Sequence, residues 1–419
     1  LVLTRLRRLS ATYPRQYWVI FWGILLNSSG SSMIWPFLTI YMRERFDLPL
    51  TAVALVLTMN SMIGLVSSFI AGAVVDRVGR KGAMVASLAI TSLTMFGLSL
   101  ADSLPIWVAL MAVNGAFAPL YRVGVDAMAA DLIPSKDRPS AYALMRMSQN
   151  LGVAIGPTIG GFVAAISYAW AFRGASAAQG LFALLLMATV AETAPFRAAL
   201  RRPEAKIRRP AERFAGYEHV LRDQRFMGFA FAYTLAGMCY AMLWMLLPVY
   251  AKDNFGVPEN MYGFIPATNA VMVVLLQYGV TALTRRFNTL WVLAVGSMFF
   301  AVGVGSIGWG AGWAAFLISM VIATIGELIV VPTSTTFTAD LAPPDMRGRY
   351  MSIYNLTHSL GIGLGPVIGG LLNDNFAPVA IWYGGLTIGL LAVAGFVRMA
   401  WSSPARAVPI VADSVEPPA

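Results

Sequence analysis

The sequence predicts an all-α polytopic membrane protein, and three observations support that prediction. Only 12% of the residues are charged, against about 25% in ordinary soluble domains, while 58% are hydrophobic. Apolar stretches of about 20 residues or more recur along the chain, and each is long enough to cross a hydrocarbon layer of roughly 30 Å as a helix. These stretches lack the period-two alternation of barrel strands, so helices are favoured.

Twelve transmembrane helices are predicted, and the basic residues orient them. Both termini are placed in the cytoplasm, and basic residues near the ends of helices are counted with the adjacent side of the membrane. This puts 24 of the 30 Lys and Arg residues inside and four outside, and leaves two, Arg122 and Arg146, in helix interiors. The positive-inside rule therefore predicts cytoplasmic termini, and the net charge of +10 needs no nucleic-acid partner. The predicted helices, called spans 1 to 12, are 16–42, 50–76, 82–101, 105–133, 139–168, 172–194, 225–253, 260–286, 290–309, 313–341, 347–374 and 378–402.

The spans divide into two groups of six that repeat one another. The stretch "DLIPSKDRPSAYALMRMSQNLGVAIGPTIGG" at 131–161 matches "DLAPPDMRGRYMSIYNLTHSLGIGLGPVIGG" at 340–370 with a constant offset of 209 residues. A parallel repeat of six spans predicts a transporter that rocks two bundles about a central site. The predicted parts are an N-terminal six-helix bundle (1–194), a basic cytoplasmic linker (195–224), a C-terminal six-helix bundle (225–402) and a disordered tail (403–419).

The loop between spans 2 and 3 carries the stretch "GAVVDRVGRK" at 72–81. It resembles the signature of the major facilitator superfamily, G-x-x-x-D-R-x-G-R-K/R, at every fixed position. The resemblance implies the major facilitator fold and a gating role, in which Asp76 meets the N-terminus of span 11 and locks the outward-facing state. The alternative is that these charges only mark the end of a membrane-spanning helix. The motif residues are Gly72, Asp76, Arg77, Gly79, Arg80 and Lys81.

Span 5 carries the stretch "NLGVAIGPTIGG" at 150–161. Its small residues recur at intervals of four along one helix face, where another helix can pack closely, and its proline allows a bend. The stretch resembles the motif of the antiporter branches and implies the twelve-span drug:proton antiporter family. An Arg often found in span 4 of that family is absent, since Met111 stands four residues before Gly115. The motif residues are Gly152, Gly156, Pro157, Gly160 and Gly161.

Charged residues inside spans are candidate functional sites, because each costs roughly 2.5–3.5 kcal/mol to insert. Asp126 of span 4 and Arg146 of span 5 are predicted at similar depth, where they can pair. Arg122 precedes Asp126 by one helical turn and can also pair with it. We expect the three residues to take part in proton coupling; a structural ion pair that braces spans 4 and 5 is the alternative.

Glu327 lies near the middle of span 10, in a run with no other charge from Trp313 to Val331. Burial without a cationic partner favours the neutral form of a carboxyl group. A carboxyl that can change its charge near physiological pH suits proton exchange. Glu327 is therefore predicted to carry the proton and to attract a cationic substrate; a protonated, hydrogen-bonded structural Glu is the alternative.

The substrate surface is predicted from polar, aromatic and Met residues of the spans. Met238, Met242 and Met245 share one face of span 7, and polarizable Met suits a promiscuous apolar pocket. Ordinary helix packing would give the same stripe. The other candidates are Asn27, Trp35, Tyr240, Asn269, Gln277, Tyr354 and His358.

These features predict a transporter of the plasma membrane, not an enzyme. The first hypothesis is proton-coupled export of amphiphilic or cationic drug-like compounds by a monomer that lies in the lipid bilayer. It uses protons as the coupling ion, with no other cofactor, no metal, no ATP and no nucleic acid. The alternatives are a lysolipid or glycolipid exporter of the same fold, a proton-coupled small-solute transporter, and a non-transporting receptor.

Overall fold

The computed structural model describes residues 13–135, 137–193, 217–343 and 346–402, and every regular element in those ranges is a helix. The predicted fold class is confirmed. The predicted tail and most of the linker lie outside the described residues; within the linker, Tyr217–Arg222 is a short helix. The spans are Arg15–Ile34 with a 3-10 turn at Trp35–Phe37 and a helix at Leu38–Phe46 (span 1), Leu50–Val78 (2), Arg80–Leu98 (3), Leu104–Leu132 (4), Arg138–Ile166 (5), Tyr168–Thr189 (6), Gln224–Phe255 (7), Glu259–Tyr262 with Phe264–Thr284 (8), Thr289–Ser306 (9), Gly312–Leu341 (10), Arg347–Asn375 (11) and Ala380–Ser402 (12).

Ten of these helices are long and apolar enough to cross a membrane by length and composition, counted over the described residues. The helices of spans 1 and 11 are not among the ten. Span 1 carries Asn27 and a group of serines, and span 11 carries Asn355 and His358. The count of twelve crossings and the cytoplasmic placement of both termini stay predictions.

Short local signals set the ends of several spans. Asp223 precedes span 7 and accepts a hydrogen bond from the Phe226 N–H, which satisfies a free donor of the first turn. Span 7 ends at Gly256, whose φ of 61° is the left-handed conformation that glycine adopts without strain. Asn288 caps span 9 in the same way, by accepting from the Leu290 N–H.

The spans pack in the same pattern within each half of the chain. Span 1 packs on spans 5 and 6, span 3 on spans 4 and 6, and span 2 on span 4. In the second half, span 7 packs on spans 11 and 12, span 9 on spans 10 and 12, and span 8 on span 10. The two halves meet through spans 2 and 11 and through spans 5 and 8. Each of these contacts has a partner in the other half, as a parallel repeat requires.

The polar contacts between the halves gather at one end of the molecule, which we call the closed end. It contains the start of span 2, the start of span 8 and the last residues of spans 1, 5, 7 and 11. The contacts extend toward the middle as far as Thr58, whose hydroxyl donates to the Gly363 carbonyl at 2.8 Å. By the predicted topology this end faces the outside of the cell.

Candidate functional site

A cavity of about 760 Å³ lies between spans 1, 4 and 5, with Trp244 of span 7 on its other side. Trp35 and Trp244 both line it, and they stand 209 residues apart, so the repeat relates them. The two indoles supply an apolar surface on which a planar or hydrocarbon group can lie. The lining residues used below are Asn27, Trp35, Arg122, Asp126, Tyr142, Arg146, Gln149, Asn150 and Trp244.

The three charged residues predicted in spans 4 and 5 line this cavity, and all three are exposed. In the described part of the chain, however, no ion pair joins Asp126 to Arg122 or to Arg146. Tyr142 donates its hydroxyl proton to the backbone oxygen of Asp126 at 2.9 Å. Neither of these two pairings is therefore formed among the described residues. The three charged groups do not need an ion pair between spans 4 and 5 to be solvated, because water in the cavity can hydrate exposed charges.

Glu327 is held by two neutral side chains from other spans. The Tyr240 hydroxyl and the Asn269 amide each donate to its Oε2 atom at 2.6 Å. Asn269 also donates to the Thr324 hydroxyl at 3.0 Å, which ties spans 8 and 10 together. The described hydrogen-bond partners of Glu327 carry no charge, and its role as the proton carrier stays a prediction.

An aromatic side chain connects this carboxyl to the cavity. The Tyr240 ring stacks on Phe300 with centroids 4.5 Å apart and meets the edge of Trp244 at 6.1 Å. Trp244 lines the cavity and Glu327 is half-buried. Tyr240 and Asn269, predicted as substrate contacts, thus surround the carboxyl, and Tyr240 lies between it and the cavity wall.

The Met stripe of span 7 forms part of the packed core. Met238, Met242 and Met245 are all buried, with at most 8% of each side chain exposed. A Cβ added to Gly365 or Gly369 of span 11 would collide with Met238 or approach Met242, because the helices are so close there. These methionines therefore contribute to helix packing, because the glycines of span 11 allow that helix to lie close against this face of span 7.

The remaining predicted contacts lie in three places. Gln277 donates to the Leu328 carbonyl at 3.1 Å and links spans 8 and 10. Tyr354 is buried in a hydroxyl cluster with Tyr233 and Ser334, at 3.0 Å from each. His358 is exposed and its ring stacks with Tyr233 at 6.3 Å. None of the three lines the described cavity.

The glycines of span 5 serve two different contacts. Gly152, Gly156 and Gly160 face span 1, and a Cβ on Gly152 would lie 2.9 Å from the Leu25 carbonyl oxygen. Gly161 faces the other half of the chain, where a Cβ would lie 3.1 Å from the Asn260 Cα. Its repeat partner Gly370 faces the first half in the same manner. Pro157 also lies at this junction, beside Gly263.

Reciprocal ion pairs join the halves at the closed end. Arg43 pairs with Asp253 at 3.1 Å, and Lys252 pairs with Glu44 at 2.5 Å. Lys252 also contacts Glu259 at 2.5 Å. Sequence reasoning missed this cluster, although a signal was present: "YMRERFDLP" (41–49) matches "YAKDNFGVP" (250–258) at the same offset of 209.

The motif at 72–81 forms a network inside the first half. Arg80 pairs with Asp76 at 3.0 Å and with Asp131 at 3.2 Å. The Glu192 carboxylate accepts from the backbone N–H groups of Arg80 and Lys81 at 2.9 and 3.0 Å, and so caps span 3. Gly79 takes a φ of 96° at this turn. Gly72 and Arg77 belong to span 2.

Asp76 does not lock the halves together in this structure. Its side chain is 70% exposed and pairs with Arg80 of its own half. The halves are joined by hydrogen bonds and ion pairs at the closed end, and the charged part of the cavity lies toward the opposite, predicted cytoplasmic end. The predicted gating contact between Asp76 and span 11 is not formed among the described residues of this structure and stays a prediction.

Comparisons with known proteins match this architecture over nearly the whole chain. The family model described as Major Facilitator Superfamily matches residues 20–288 and 229–414. A Na(+), Li(+), K(+)/H(+) antiporter of Planococcus maritimus is 26% identical, covering 86% of this chain and 88% of the relative. Multidrug resistance protein 1 of Bacillus subtilis (strain 168) is 24% identical, covering 93% and 96%. The crystal structure of a POT family transporter in complex with 5-aminolevulinic acid superposes with a TM-score of 0.76 at 16% identity, covering 93% and 96%.

Proposed function

This chain belongs to the major facilitator superfamily, and we propose that it is a proton-coupled antiporter that exports amphiphilic solutes by alternating access. Family membership makes it a multi-pass membrane transporter and not an enzyme. The proton coupling, the export direction and the amphiphilic substrate are our proposal, as is placement in the drug:proton antiporter branch. Two relatives support it by name, one as a cation/proton antiporter and one as a multidrug resistance protein.

The setting of Glu327 is the observation that carries this proposal. It is a half-buried carboxyl in the middle of span 10, held by Tyr240 and Asn269, neither of which carries a charge. In the charged form it accepts two hydrogen bonds, which stabilise the carboxylate. In the neutral form its own O–H can donate to the Tyr240 hydroxyl, which rotates to accept. Both forms keep a hydrogen bond between Glu327 and Tyr240, so a proton can be taken up and released without repacking of these side chains.

The coupling follows from alternating exposure of this carboxyl. A proton bound from the outside neutralises Glu327, and its release inside restores the charge near the cavity. Substrate and proton then occupy the site in turn, which is the requirement for antiport. No nucleotide is proposed, and protons are the coupling ion. We propose that a monomer suffices, because one chain contains both the cavity and the carboxyl.

The test uses inverted membrane vesicles with an acid interior and a fluorescent reporter of the pH gradient. Two probes share one dansyl group, dansylcadaverine as the cation and 6-(dansylamino)hexanoate as the anion. Wild-type protein is expected to dissipate the gradient when a transported probe is added. Glu327→Gln should bind that probe and move no protons, because the amide cannot titrate. Glu218→Gln, an exposed carboxyl on the short helix before span 7, is the matched control.

The other outcomes separate the alternatives. Proton movement in Glu327→Gln at the wild-type rate would refute the role of Glu327 as the proton carrier. Asp126→Asn would then test the second predicted carrier. If wild-type protein moves no protons with either probe or with a lysolipid, the antiport proposal is wrong. Gradient dissipation by the lysolipid alone would favour the lipid exporter.

A further inference from the structure

The charges of the cavity break the symmetry of the repeat. Arg122, Asp126 and Arg146 of the first half correspond, at the offset of 209, to uncharged positions of the second half. Glu327 of the second half corresponds to an alanine that lines the cavity in the first. The corresponding pairs are Arg122 with Val331, Asp126 with Thr335, Arg146 with Asn355, and Ala118 with Glu327. The two halves therefore share one helical scaffold, while each of these charged residues occurs in one half only.

Neither guanidinium group of the cavity has a hydrogen-bonding partner among the described residues, although Arg122 lies close enough to Asp126 to interact with it electrostatically. Arg122 and Arg146 are exposed to the cavity, and neither forms an ion pair or a hydrogen bond with a described side chain or backbone atom. Each guanidinium carries five N–H donors in a planar fork. Asp126 is the one carboxylate among the residues that line the cavity, so the wall of spans 4 and 5 carries a net positive charge.

Two amides lie on the same face of span 5 as Arg146. Gln149 and Asn150 follow it by three and four residues, so they project beside it from the next helical turn. Both line the cavity, and neither side chain has a partner in the described part of the chain. Arginine forks and neutral donors together are the groups that bind a carboxylate, a sulfonate or a phosphate.

The apolar part of the cavity lies on its other side. Trp35 is 39% exposed and Trp244 is half-buried, and both line the same cavity as the charged residues. The cavity thus has a cationic side in the first half and an aromatic side shared between the halves. A ligand that carries an anionic group on an apolar body matches both.

We propose that this cavity recognises anionic amphiphiles, with the anionic group bound by Arg122 and Arg146 and the apolar body against Trp35 and Trp244. Asp126 repels the bound anion and so limits its affinity, which lets the ligand leave. The biological role of this binding site rests on the proposed transport function, but ligand binding alone is enough to test the site.

The test measures the fluorescence anisotropy of the same two dansyl probes on protein in nanodiscs of phosphatidylcholine. These probes differ in the charge at the end of a similar alkyl chain. Wild-type protein should bind 6-(dansylamino)hexanoate at least tenfold more tightly than dansylcadaverine. Arg146→Gln and Arg122→Gln should each weaken the anionic probe by about 10- to 100-fold, the range of a charged hydrogen-bonded pair. Arg146→Lys should be intermediate, because it keeps the charge and loses the fork.

A second variant and a control protect the test against misfolding. Asp126→Asn should tighten binding of the anionic probe, a gain that an unfolded protein cannot give. Arg398→Gln removes an exposed charge of span 12 outside the cavity and should change neither affinity. The proposal is overturned if the cationic probe binds more tightly, or if Arg146→Gln and Arg398→Gln behave alike.

Competition distinguishes the two sources of such a ligand. Displacement of the anionic probe by oleoyl lysophosphatidate, with no effect of naphthalene-2-sulfonate, would assign the site to lipids. Displacement by naphthalene-2-sulfonate would assign it to soluble amphiphiles. If neither compound displaces the anionic probe at concentrations well above the dissociation constant of that probe, recognition of the anionic amphiphile class is overturned. Proton flux does not enter these measurements, so antiport can fail while the binding result stands.

Discussion

The substitution Gly370→Ala is expected to weaken the closed end without disturbing either half. Gly370 of span 11 lies against the start of span 2, and an added Cβ would be 2.8 Å from both the backbone N and the Cα of Thr51. Ordinary contact begins at 3.4 Å, so one backbone must move by about 0.6 Å. Thr51 cannot move freely, because its backbone N–H and hydroxyl donate to Asp374 at 2.8 and 2.6 Å.

The cost applies to one conformation. Overpacking by a methyl group against a fixed backbone costs about 1–3 kcal/mol. In the conformation that is open at this end, spans 2 and 11 separate there and the added methyl meets no protein atom. The equilibrium should therefore shift toward opening of the closed end by about 5- to 150-fold. Gly161→Ala, the repeat partner, should act in the same direction through Glu259 and Asn260.

Distances between spin labels report this equilibrium. Labels on Asp47→Cys and Asn254→Cys lie at exposed positions of opposite halves at the closed end, in a Cys239→Ala background that removes the native thiol. Gly370→Ala should increase the population of the longer distance. Gly279→Ala is the matched control, because its new Cβ would have no atom within 4 Å. An unchanged distance distribution in Gly370→Ala, or an equal change in Gly279→Ala, would refute the reasoning.

Two further predictions concern charged contacts. The Arg43–Asp253 pair is about one-third exposed, so solvent screening limits its contribution to about 0.5–1 kcal/mol. Asp253→Arg should open the closed end in the same spin-label assay, and the double swap with Arg43→Asp should restore closure. A double swap that fails to restore closure would contradict the pairing. Glu192→Ala removes the acceptor that caps span 3 and should cost about 0.5–2 kcal/mol. Its unfolding midpoint, followed by intrinsic fluorescence, should fall below that of Glu218→Ala, and equal midpoints would count against the cap.

The sequence was sufficient to predict the fold class, because the lengths of the apolar segments and the repeat between the halves can both be read from the order of residues along the chain. The ends of helices depend on more than the apolar stretch. Span 1 was predicted over 16–42, and in the structure its helix continues past the first charged residues to Phe46. Arg and Glu are compatible with a helix, so the helix extends beyond the apolar stretch, and Arg43 and Glu44 pair with the other half there.

The candidate site was predictable in its charges and less so in their surroundings. Glu327 stood out by the apolar run around it, yet its partners Tyr240 and Asn269 come from two other spans. Their roles depend on how spans 7, 8 and 10 rotate about their axes. The same rotation buries Met238 and Met242, since helical periodicity gives one face of span 7 without saying whether it meets the cavity or span 11.

The repeat carries more information than a fold class, because a two-fold relation turns sequence order into contacts. Each half ends its first span with a basic residue followed by an acidic one, Arg43 with Glu44 and Lys252 with Asp253. When a two-fold axis passes between such copies, the first residue of one copy meets the second of the other, and the reverse contact follows. Both pairs form. The repeated positions Arg43 and Lys252, Glu44 and Asp253, and Gly161 and Gly370 thus form the closed end, while the repeated pair Trp35 and Trp244 lines the cavity. Arg122, Arg146 and Glu327 have no charged counterpart at the offset of 209, and we infer that selection of the substrate and the coupling ion depends on them.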